Sequence, residues 1–170
     1  SLALTHTPQT TTLSRSFDTP VAVAFVESRN GPDPAVVRIS GLAGDQITTR
    51  LQEPGNLDSV HVSEDVGLVV MEAGSWKLTD GTLVEAQAVQ SNRLTSAGFD
   101  PVTFDSDFDD PIALASVQTS NGTDYVTTRH RHTATGIQIA MEEEEALNAG
   151  GHITETLGVI AIEGGLSTSG

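Results

Sequence analysis

The chain has 170 residues, of which 23 are acidic and 8 basic, giving a net charge of -15, and it has no cysteine. Such a surface repels phosphate backbones and anionic lipid, so nucleic acid is not expected as a partner; disulfides, thiolate metal sites and cysteine nucleophiles are ruled out. Apolar residues make up 37% and aromatics 4%, so the core is built from Val, Ile, Leu and Ala, and no apolar run reaches the roughly 18 residues that membrane insertion needs.

Read in chain order, the Thr-rich segment 2–13 is strand-like and completes its own unit or a neighbour's. Residues 21–26 form a short β-branched run between Pro20 and the turn pair Asn30-Gly31, which predicts a buried strand and a turn,. Segments 35–39, 47–51 and 66–71 read as strands too. Residues 75–90 predict a hairpin with Asp80-Gly81 at its tip,. Strands follow at 112–119, 126–132, 137–141 and 157–162. The run from Glu142 to Leu147 has the best helical propensity in the chain,. Its counterpart contains Pro54-Gly55, which no helix interior accepts, so one turn or a loop is expected and almost no helix anywhere,.

That counterpart exists because the chain is duplicated. Phe17, Asp18, Pro20, Ala22, Ala24 and Val26 return as Phe108, Asp109, Pro111, Ala113, Ala115 and Val117. Asn30, Gly31, Asp33 and Arg38 return as Asn121, Gly122, Asp124 and Arg129. Residues 47–53 parallel 137–143, His61 and Glu64 parallel His152 and Glu155, and 66–72 parallel 157–163; Gly74 and Gly165 close the units. The pattern predicts an all-β chain of two tandem antiparallel β-sandwich units, about six strands each: 1–74, a linker hairpin at 75–93, and 94–170,. The absence of an initiator Met is expected of a processed chain or an excised fragment.

Each unit resembles the H-type lectin-like β-sandwich domains. The resemblance lies in the opening strand Phe-x-x-Pro-Val, a middle strand ending in Arg38 or Arg129, a hydrophobic-then-Glu strand, and the closing strand at 66–71. The stretch from His152 through Glu155-Thr156-Leu157-Gly158 to Ile162 is also similar to tandem repeats of large secreted proteins from marine and halophilic bacteria. The resemblance implies a six-stranded antiparallel sandwich per unit, trimeric association, and sugar bound near subunit interfaces. The Trp that those lectins place at Glu53-Pro54 and Glu143-Glu144 is absent from both copies.

Several residues are candidates for a site. Asn30, Asp33 and Arg38, with Asn121, Asp124 and Arg129, offer donors and acceptors suited to sugar hydroxyls, or else an ion pair at the strand mouth,. Arg129 and Arg131 share one face of their strand, facing an anionic glycan, another subunit, or the nearby Glu run,. Trp76, the single Trp, is a stacking platform or a packed hinge,. Glu142, Glu143, Asp107 and Asp109 are carboxylates of the kind calcium takes, though no EF-hand spacing is present; a solvated acidic face explains them equally,. The His61/Glu64 and His152/Glu155 pairs are read as satisfying loop backbone groups,. No nucleophile elbow, phosphate loop or zinc motif is present, so no enzyme is expected,. The chain is expected to be an extracellular or cell-surface carbohydrate-binding module with a polysaccharide or glycan partner. The alternative is a structural repeat of a fibre, layer or adhesin. Self-association as a trimer or polymer is expected, without membrane insertion.

Overall fold

The computed structural model describes residues 1–144 and 150–164. The turn expected through Glu145 to Leu147 and the closing Gly165 lie outside them. The first unit contains β1 (Leu2–Leu4), β2 (Gln9–Phe17), β3 (Pro20–Val26), β4 (Val36–Gln52) and β5 (Glu64–Glu72). Next come β6 (Gly74–Lys77) and β7 (Leu83–Ser91), and a single helical turn at Thr95–Ala97. The second unit continues with β8 (Asp100–Thr103), β9 (Pro111–Val117), β10 (Val126–Thr133), β11 (Gly136–Glu143) and β12 (Glu155–Glu163). The fold is all-β, and all the strand pairs are antiparallel.

In the first unit, the sheet β1-β5-β3 covers the β2-β4 pair. Leu4, Ala22, Ala24, Val37, Ile39, Ile47, Leu51 and Val66 fill the space between them. β4 is 17 residues long, which straight would span roughly 55 Å at about 3.3 Å per residue. Yet Ile39 and Leu51 share one core, and a Cβ built on Gly41 would lie 3.5 Å from Thr48 Oγ1. The strand therefore folds back on itself, with Gly44 at the bend in the left-handed region, φ 58°,. Its two arms correspond to β10 and β11, so the second copy's hairpin and the first copy's bent strand are one feature. The N-terminal segment completes its own unit: β1 pairs with β5 and β2 with β4.

In the second unit, the sheet β6-β7-β12-β9 packs against β10-β11-β8. The core holds Val117, Ile137, Ile139, Met141, Leu157 and Val159 among others. β6 and β7 form the expected hairpin around Asp80-Gly81, and β7 also pairs with β12 from Val84 to Ser91.

A third core joins the two units. Val21 and Val23 of β3 meet Val84 and Ala86 of β7 and Ile160 of β12. β3 thus buries both faces: Ala22 and Ala24 point into the first sandwich, Val21 and Val23 toward the second,. This explains why residues 21–24 are apolar without alternation.

Candidate functional site

After β3 and again after β9 the chain leaves its sheet with backbone N–H groups that no strand satisfies. A glutamate at the start of the closing strand takes them. Glu64 accepts from Ser28 Oγ at 2.5 Å and from the backbone nitrogens of Asn30 and Gly31 at 2.8 Å. Glu155 does the same for Thr119 Oγ1 at 2.5 Å, Asn121 N at 3.0 Å and Gly122 N at 2.9 Å. Each carboxylate is almost wholly buried. The Ser28 hydroxyl, with the Gly31 and Asn30 amides and His61, outweighs burial and holds the Glu64 carboxyl at about 2,. For Glu155, burial pushes upward, but Thr119, the two amides and Arg38 prevail and hold it below its ordinary value.

A histidine backs each glutamate. His61 places Nδ1 2.7 Å from Glu53 and Nε2 3.3 Å from Glu64. His152 places Nδ1 2.5 Å from Glu143 and Nε2 3.4 Å from Glu155. The ring lies under the loop glycine: a Cβ on Gly31 would come within 3.2 Å of the His61 ring, and one on Gly122 within 2.9 Å of the His152 ring. The Asn-Gly pairs thus need glycine for close approach, not for a positive φ. The Asn side chains tie the loop further, Asn30 Nδ2 donating to Ser63 O and Asn121 Nδ2 to Thr154 O, both at 2.8 Å. The His and Glu pairs serve loop backbone groups, as their recurrence in the sequence suggests.

The copies diverge at the arginine. Arg38 is 0% exposed and reaches into the second unit's loop. It donates to Gly122 O at 3.0 Å, Ser120 Oγ at 3.2 Å, Asp124 O at 3.3 Å and Glu155 at 3.3 Å. Burial lowers its pKa, and the Glu155 charge counters that. Beside it, Gln52 Nε2 donates to Thr123 O at 2.7 Å. Along the free edge of β3, Ala22 N donates to Gln118 at 3.0 Å and Ala24 N to Ser116 at 3.1 Å. A Cβ on Gly158 would stand 2.2 Å from Ala22 O, so the backbones touch there. Arg129, by contrast, has a side chain 61% exposed and, among the described residues, donates to Glu142.

The other sequence candidates lie apart from this contact. Asp33 lines a cleft with His61 and Glu64. Arg131 lies 4.3 Å over the Phe99 ring and donates to Gln138. Trp76 is 45% exposed on β6, its indole N–H directed at Glu72 O at 3.4 Å. Asp107 and Asp109 line a cleft of about 520 Å³ with Phe104 and Phe108. Glu143 can bring one ligand atom within 4.8 Å of Asp124 and His152, the only such trio among the described residues; a cation there would compete with the histidine for the same carboxylate.

Sequence reading took Glu143 only as a calcium candidate and gave Glu53 no role, though both hold the histidines, and it passed over Gln118 and Ser116, which take the β3 edge. It also passed over Glu72 and Glu163. Glu72 accepts from the Asp18 and Thr19 amides, and Glu163 from those of Asp109 and Asp110. Duplication of these glutamates was the available signal.

No protein-family model and no solved structure matches the chain. The chain is 34% identical over 173 residues to halomucin of Haloquadratum walsbyi, and the alignment takes in 95% of the chain. The chain spans about 2% of halomucin's length. No helix of the described residues is long and apolar enough to cross a membrane.

Proposed function

We propose that this chain is a non-catalytic structural repeat module of a much larger extracellular or cell-surface protein. The observation that carries this reading is the fate of Arg38. The strongest sugar-binding candidate of the first unit lies wholly inside the contact with the second, among the carbonyls of Gly122 and Asp124. Asn30 and Asn121 likewise spend their amides on their own loops. The duplicated chemistry therefore shapes loops and joins units, which is the work of a repeat. Similarity to halomucin, a protein of which this chain would span only a small fraction, supports the same reading. So does the acidity: molar salt screens self-repulsion at a net charge of -15,.

A lectin role, as the H-type resemblance implies, has one observation in its favour. The cleft of about 520 Å³ sets Asp105, Asp107 and Asp109 beside Phe108, a mixture of carboxylate and ring that suits a sugar. A glycan array probed in high salt, with and without calcium, separates the two readings. The structural module leaves the array blank in both conditions. Selective binding to one glycan class, abolished by Asp107→Asn with Asp109→Asn, overturns it in favour of the lectin.

A further inference from the structure

The contact between the units is directional. Were it two-fold symmetric, Arg129 would dock at Glu64 as Arg38 docks at Glu155, and the Ala113 amide would meet Glu27. Neither bond forms; Arg129 stays on Glu142. One unit therefore presents a donor face (the arginine, the free strand edge and the valines before it), and the other an acceptor face (the Asn-Gly loop, its glutamate and the glycine of the closing strand). A heterologous contact leaves one unused face of each kind.

Both unused faces are open in this chain. On the donor side, Val21, Val23 and Arg38 are buried, whereas their counterparts Ile112 and Arg129 are exposed; Leu114, the counterpart of Val23, is half-buried because it already packs against the core that joins the units. On the acceptor side, Ile160 is 0% exposed, whereas its counterpart Val69 is 43% and the neighbouring Phe25 42% exposed. The slot that Arg38 fills in the second unit has an open equivalent in the first. A cleft of about 390 Å³ is lined there by Asp33, His61 and Glu64. Its acceptors are already in place. Glu27 Oε1 stands over Gly67, 2.3 Å from where a Cβ would be, much as Gln118 Oε1 stands over Gly158 at 2.7 Å. The charges also complement: Glu142, at the position of Gln52, would face Arg29, at the position of Ser120.

We propose that a second copy of this chain docks head to tail on the first, its Arg129 entering the cleft between Asp33 and Glu64 and its β9 edge lying on Gly67 and Glu27. This rests on the reading of the chain as a structural repeat and gives that repeat a direction of growth. The contact repeats the one already formed between the units, with one difference. β1 is three residues long where β7 is nine, so the second copy covers less apolar surface. Association between separate chains is accordingly weak and rises with concentration, and it adds copies head to tail in series.

Sedimentation in high salt over a wide concentration range tests this with two variants of the whole chain. One carries Arg129→Ala with Ile112→Asp and loses the donor face. The other carries Val69→Asp and loses the acceptor face, with Phe25→Glu as its replacement should Val69→Asp fail to fold by circular dichroism. The native chain is expected to form a growing series of species. Each variant alone should associate at least tenfold more weakly. An equimolar mixture of the two should yield a 1:1 dimer and nothing larger, because only one good face of each kind remains. A native chain that stays monomeric throughout, or a mixture no more associated than its parts, overturns the proposal. A closed trimer insensitive to both variants overturns it too and points to the lectin-like assembly, whereas a positive glycan array with an intact head-to-tail series would overturn only the structural-module reading.

Discussion

The two units share an arginine at the same repeat position, though not the residues beside it, and give it opposite surroundings. Arg38 is enclosed by the neighbouring unit; Arg129, at the equivalent position, is paired with one exposed carboxylate in water. The difference lies in what the tandem arrangement sets beside each residue. A duplicated motif can therefore be a structural bolt in one copy and an open face in the other.

The largest expected effect comes from breaking that contrast. Arg38→Ala leaves Glu155 buried without its counter-charge, and losing one partner of a buried pair costs about 3–5 kcal/mol. Arg129→Ala removes an exposed pair worth about 0–1 kcal/mol. Chemical denaturation of the two variants should show this gap. Equal losses would mean that the inter-unit contact contributes little to stability.

A smaller contrast separates Gly158 from Gly67. At Gly158 a methyl would strike the Ala22 carbonyl, a backbone atom that cannot rotate away. At Gly67 it would meet the end of the Glu27 side chain, which can. Gly158→Ala should cost about 1–3 kcal/mol, in the usual range for overpacking, and loosen the units. Gly67→Ala should cost less than that, read from the same denaturation midpoints.

The last contrast is between acid sensitivity in the two loops. Glu64 is held at about 2, and Glu155, Glu72 and Glu85 also lie below their ordinary values. The unfolded chain then binds protons more readily than the folded one in this window. Their stabilisation is complete above about pH 4.5 and is lost as the pH falls toward about 2. Measured in about 1 M salt, where screening quiets the surface charges, Tm should hold from neutrality to about pH 5 and then drop. Glu64→Gln should flatten part of that drop. A Tm that stays level to pH 3 would show that these loop hydrogen bonds do not distinguish the folded from the unfolded chain.

Much of this architecture was legible beforehand. The duplication, the strands, the hairpin at Asp80-Gly81 and the service of His61 and Glu64 to the loops all follow from local pattern. Apolar periodicity and turn chemistry act over a few residues, and repetition marks which ones matter. The bend in β4 was legible too, since 35–39 and 47–51 read as separate strands with Gly41 and Gly44-Asp45 between them,. The role of Glu53 and Glu143 was hidden because it depends on a histidine eight or nine residues away across a loop.

By itself, then, the sequence determined an all-β chain of two like units with a common loop chemistry, since side-chain alternation and a repeated Glu, His and Asn-Gly suffice for that. Only the tertiary structure decided which copy's arginine is buried and which half of each sheet is covered. Those outcomes depend on how one sandwich seats on the other, through a backbone contact at Gly158 and hydrogen bonds from Arg38 to carbonyl oxygens. Carbonyl oxygens are the same in every residue, so no side-chain pattern could announce them.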